Sequence, residues 1–123
     1  MNDYSQCSCS GKNLDKLIKP ILLTLLKRQS MHGYALLGKL SESGLFSDDC
    51  PVPDASGVYR FLAEMEKQDL VDLTWDVDSP GPAKRVFSIT KRGLVCLEHW
   101  DETLTRYQER IDKIRELIHA PAE

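Results

Sequence analysis

The chain has 123 residues, 41% of them hydrophobic and 28% charged, with a net charge of −3 and 4 cysteines. That length allows one domain around a single modest core, and the apolar fraction excludes a chain that is disordered over most of its course. The longest apolar run, Ile21 to Leu26, is broken by Thr24 and is too short to cross a bilayer, so no membrane partner is expected.

Asp3 stands where a secretory signal would carry basic charge, which points to the cytoplasm and to reduced thiols. Residues 1–11 read as a flexible tail that holds Cys7 and Cys9. Two thiolates cannot complete a four-coordinate metal site, although a dimer offers four, and a thiol switch is the other functional use. An inert tail is the plain alternative.

Leu14, Leu17, Ile18, Ile21, Leu22, Leu25 and Leu26 follow helical spacing, with Pro20 inside the stripe. Either a helix proper starts near Lys19 after a short lead-in, or one helix kinks at the proline. Ser30 and Met31 form a connection to a second helix from about Gly33 to Ser43. Tyr34, Leu36, Leu37 and Leu40 are its expected buried face, and Gly44 is its stop. Leu45 to Pro53 is an acidic loop. His32, His99 and His119 stand alone, without the spaced partners of a metal site. No nucleophile–base pair, phosphate-loop glycine pattern or paired catalytic carboxylates occur, so neither an enzyme nor a cofactor is expected.

Asp54 to Asp69 reads as one helix, with Asp54 as N-cap and Val58, Phe61, Leu62 and Met65 as the buried stripe. Its other side carries Ser56, Gly57, Tyr59, Arg60 and Ala63, small or hydrogen-bonding groups suited to phosphates and base edges. From Leu70 to Val77, apolar Val71, Leu73, Trp75 and Val77 alternate with Asp72, Thr74 and Asp76, as in a half-buried strand. Residues 78–83 turn the chain, and Lys84 to Thr90 returns as a second strand, placing Lys84 and Arg85 at the hairpin tip. Lys84, Arg85, Lys91 and Arg92 put 4 positive charges into nine residues with no acid among them, a local basic face on an acidic protein.

Lys91 to about His119 is a last helix. Leu97, Trp100, Leu104, Tyr107, Ile111, Ile114 and Ile118 are spaced 3, 4, 3, 4, 3, 4. So narrow a seam argues for a partner helix, most simply the same helix of a second subunit about a two-fold axis.

Three helices followed by a hairpin form a winged helix-turn-helix, mainly α with a small β-hairpin, ending in a long dimerisation helix. The residues His32-Gly33-Tyr34, Val58-Tyr59-Arg60 with Leu62, Glu66, Leu70-Val71, Trp75, Gly81-Pro82 with Lys84-Arg85, and Ile89-Thr90 with Gly93 resemble the PadR-like transcriptional regulators. The resemblance spans Ile21 to Trp100. It implies a DNA-binding domain over 12–90, a dimerisation helix over 91–119, and a homodimeric repressor on a pseudo-palindromic double-stranded operator. Ser56, Gly57, Tyr59 and Arg60 would face the major groove, although many relatives carry threonine where this chain has Gly57. Lys84 and Arg85 would reach phosphates or a narrow minor groove. Relatives respond to small, often aromatic molecules, so the two copies of Trp100 either fill the dimer core or line an effector pocket. The Cys-x-Cys-Ser-Gly tail looks like a subgroup that includes polyhydroxybutyrate-responsive repressors. The alternative is a winged module that has lost DNA binding and recruits a protein, or a regulator that senses thiols or metal through Cys7 and Cys9.

Overall fold

The computed structural model describes residues 17–48, 51–78 and 80–122. Along the chain run helix α1 (Ile18–Arg28), strand β1 (Met31–His32), α2 (Gly33–Glu42), α3 (Ala55–Lys67), β2 (Val71–Asp76), β3 (Lys84–Ile89) and α4 (Lys91–His119). The tail expected over 1–11, with Cys7 and Cys9, lies outside the described residues.

The core is where α1, α2 and α3 meet the sheet. Ile18, Leu22 and Leu23 of α1, Leu36 and Leu40 of α2, and Val58, Leu62 and Met65 of α3 are fully buried; Leu70, Val71 and Phe87 close the cluster from the sheet side. Because α1 begins at Ile18, Pro20 falls in its first turn, where an amide has no intrahelical acceptor to lose. Of the two arrangements open on sequence, the late start is the one found.

Helix α3 has a defined beginning and end. The Asp54 carboxylate accepts from the Gly57 amide at 2.8 Å. At the other end the Leu70 amide donates to the Met65 carbonyl (2.9 Å) and the Asp69 amide to Glu66 (3.0 Å). Asp69 takes φ 65°, a left-handed conformation that Asp tolerates better than most residues. This reversal delivers the chain directly into β2.

The sheet has three antiparallel strands in the order β1-β3-β2, one more than the expected hairpin. Met31, read on sequence as part of a connection, and His32, read in the motif that opens the second helix, pair with Phe87 and Val86. Two residues are too few to show an alternating pattern, so this strand had no signature. The hairpin also leaves the core sooner than its alternation suggests. Val71 is buried and Leu73 half-buried, but Trp75 is 60% and Val77 72% exposed, because only the first residues of β2 lie over the helices. Tyr34 is a further correction: it is 83% exposed, not buried. Gly33, Leu36 and Leu40 face the core, and Tyr34, two positions before Leu36, points about 200° away at 100° per residue.

Helix α4 starts at a lock with the α3–β2 junction. The Thr90 hydroxyl accepts from the Gly93 amide (2.9 Å) and donates to the Asp69 carbonyl (2.6 Å). A Cβ on Gly93 would collide with the Leu70 carbonyl, so this first-turn glycine is what lets α4 dock. The expected seam divides. Leu97 and Trp100 pack on the chain's own core, and Leu104 is half-buried beside α1. Tyr107 (44%), Ile111 (54%), Ile114 (49%) and Ile118 (71%) remain exposed. No described helix is long and apolar enough to cross a membrane.

Candidate nucleic-acid interface

Helix α3 buries Val58, Leu62 and Met65 and half-buries Phe61, which turns Ser56 and Arg60 outward one turn apart. Both are exposed, and among the described residues neither has a hydrogen-bond or ion-pair partner. Gly57 departs from its expected place. It is buried, and its amide is already bonded to Asp54, so it offers neither a side chain nor a free donor to a ligand. Tyr59 is half-buried, between the outward face and the core.

Lys84 and Arg85 are not at the hairpin tip. They are the first two residues of β3, in register with Asp76 and Trp75 across β2. This position brings Arg85 back against α3: its guanidinium carbon lies 4.8 Å from the Tyr59 ring centroid, a cation–π contact. The Tyr59 ring in turn lies 6.3 Å from that of Phe87, tilted by 51°. Of the α3 and wing residues expected to act together, Tyr59 and Arg85 are therefore held in direct contact.

Between the start of α2 and the wing runs an open groove of about 430 Å³, lined by His32, Tyr34, Tyr59, Lys84 and Arg85. Two cations, Lys84 and Arg85, make it hospitable to an anion. The imidazole Nε2 of His32 is buried 3.4 Å from the Asp76 carboxylate, close enough for an ion pair when the ring is protonated, though not aligned for a hydrogen bond. Tyr34 was not among the residues expected at this surface. The His32-Gly33-Tyr34 motif marked the position, but only the turn of α2 shows which way the ring faces. An ion pair between Lys19 and Glu64 (2.8 Å) fastens α1 to the side of α3. Half of the Glu64 side chain is solvated, so the pair contributes little to stability.

Trp100 lies in a separate groove of about 540 Å³ between α1 and α4, with Pro20, Thr24, Leu97 and Leu104. Among the described residues, no group of three or more His, Cys, Asp or Glu side chains could hold a metal ion. Cys96, in α4, is a free thiol and half-buried.

Residues 22–99 match the model of the transcriptional regulator PadR-like family. The structure is similar to that of a candidate transcriptional regulator from Thermoplasma acidophilum, with a TM-score of 0.69 and 25% identity over 84% of this chain and 94% of that one. A PadR-like transcriptional regulator from Bacillus cereus gives 0.67 and 22%, over 88% and 97% of the two chains. A PadR family transcription regulator from Clostridium difficile gives 0.67 and 17%, over 79% and 96%. These structural likenesses concern the fold. No curated protein matches the sequence significantly.

Proposed function

Since the chain belongs to the PadR-like family of transcriptional regulators, we propose that it is a cytoplasmic homodimeric repressor that binds a pseudo-palindromic DNA operator and answers to a small molecule. Its family regulates transcription; catalysis is not its business. The observation that carries the reading is the contact between Tyr59 of α3, the helix that also exposes Ser56 and Arg60, and the wing cation Arg85, which adjoins Lys84. In this reading α3 enters the major groove, where Arg60 is long enough to reach base edges and Ser56 bonds a phosphate. Lys84 and Arg85 neutralise the flanking backbone. Such a local basic surface on an acidic chain binds generic DNA weakly and depends on two half-sites, hence on a dimer.

The exposed Tyr107, Ile111, Ile114 and Ile118 support α4 as the dimer contact. Half-sites one turn apart require recognition helices about 34 Å apart, so a modest rotation of the subunits takes one of them out of register. The groove holding Trp100 adjoins α4 and supports a place where an aromatic effector could drive that rotation. Capture and sequencing of genomic DNA fragments by the purified protein tests the whole reading. A small set of fragments sharing an inverted repeat is the expected result. The second reading, a winged module that recruits a protein, draws on the net charge of −3 and the exposed α4 strip. Absence of any salt-dependent binding to duplex DNA would favour it.

A further inference from the structure

Tyr59 has three neighbours on two other segments, and each restricts it. A Cβ on Gly33 would lie 2.5 Å from both the ring Cε1 and the hydroxyl of Tyr59. The ring therefore fills the place of a side chain at the first residue of α2, and its hydroxyl lies against that backbone. Phe87, 3% exposed, meets the ring at 6.3 Å from the core side. Arg85 covers a ring face with its guanidinium carbon at 4.8 Å. Arg85 and Phe87 are two apart on β3, so they share the strand face that looks toward α3. Gly33, Arg85 and Phe87 thus close on one aromatic ring that belongs to the recognition helix.

We propose that Tyr59 is a positioning residue: its ring, and not its hydroxyl, pins the wing and the start of α2 to the recognition helix, and so presents Arg85 and Lys84 to the DNA backbone. The proposal rests on the DNA-binding reading for its consequence, but the pin itself is a property of the free protein. A hydroxyl that bonded a phosphate would be indispensable. A ring that serves as a pin is replaced by phenylalanine without loss.

The test uses the full chain with Tyr59→Phe, Tyr59→Leu and Arg85→Gln, and Tyr59→Leu combined with Arg85→Gln. One measurement is the rate of trypsin cleavage after Lys84 in the free protein. The other is affinity for a generic duplex and its dependence on salt. Tyr59→Phe should match the parent in both. Tyr59→Leu should speed cleavage and weaken DNA binding, each by roughly two- to fivefold, the equivalent of an exposed cation–π contact. Arg85→Gln, at an exposed position that the fold does not need, should speed cleavage after Lys84 in the parent but add little to Tyr59→Leu, because both break the same contact. Equal loss of DNA affinity in Tyr59→Phe and Tyr59→Leu would assign the hydroxyl to DNA and overturn the proposal. So would wing cleavage that neither Tyr59→Leu nor Arg85→Gln changes. If no variant binds DNA, the parent included, while cleavage still follows the ring, the DNA reading fails and the pin stands.

Discussion

Arg60 and Gly93 show how differently two residues of similar visibility in the sequence behave once folded. Arg60 projects from α3 into solvent, so its removal leaves the core intact. Arg60→Ala should weaken operator binding by ~1–3 kcal/mol if the guanidinium makes a bidentate base contact, with thermal unfolding unchanged. An operator affinity that does not move would take Arg60 out of the interface. Gly93 lies in the first turn of α4, where a glycine should weaken a helix. The Leu70 carbonyl and Ile89 side chain occupy the space a methyl would need, and backbone cannot move aside as a side chain can. Gly93→Ala should therefore destabilise the fold by ~1–3 kcal/mol in urea denaturation, as overpacking does. Gly38 provides the contrast: it sits inside α2 with nothing near a prospective Cβ. Gly38→Ala should stabilise by ~0.5–1 kcal/mol, the ordinary helical preference. A Gly93→Ala protein as stable as the parent would dissolve the lock between α4 and the α3–β2 junction.

Among the elements, α3 was the most legible, because its evidence is local: a capping aspartate, a stripe at helical spacing and a definite end. Its boundaries, Ala55–Lys67, fall within one or two residues of the stretch that composition marks out. The wing was legible in kind but not in placement. Alternation identifies β2 and β3, yet it cannot say that the hairpin outruns the helical layer and exposes Trp75, or that β1 joins its other edge. Tyr34 was misplaced for a related reason, since an aromatic among leucines reads as core until the helix is rotated against its neighbours. The Tyr59–Arg85 contact joins residues far apart in the chain through packing alone, and no local pattern announces it. Because Lys84 and Arg85 begin β3 and do not cap the turn, the wing should contact DNA along its flank. Lys84→Ala should weaken binding to all duplex sequences alike and lower the salt slope by about one, the signature of a single lost phosphate contact. A titration of affinity against salt decides this, and an unchanged slope would leave Lys84 a bystander.

For the whole molecule the decisive element is α4, 29 residues long and so about 43 Å at 1.5 Å per residue. Its first half is committed to the chain's own α1 through Leu97, Trp100 and Leu104. Its second half carries Tyr107, Ile111, Ile114 and Ile118, at least 44% exposed and spaced 4, 3 and 4 along the helix. Four such side chains in line are more than scattered surface hydrophobics, and the heptad spacing suits a second helix. Ile111→Glu separates the two possibilities because Ile111 is 54% exposed in the single chain. In an isolated subunit the carboxylate would remain in water at almost no cost. At a helix–helix contact it would be driven out of water, at a cost of several kcal/mol, and a two-fold axis would impose that cost twice. Sedimentation should then find monomer at micromolar concentration, with the circular dichroism of the winged domain kept. Operator affinity should fall steeply, since a lone subunit holds only one half-site. The exposed neighbour Gln108→Glu adds the same charge off the seam and should leave both dimer and DNA binding in place. A tight dimer that survives Ile111→Glu with full operator affinity would mean that α4 does not join the subunits, and that an effector at Trp100 could not act through it.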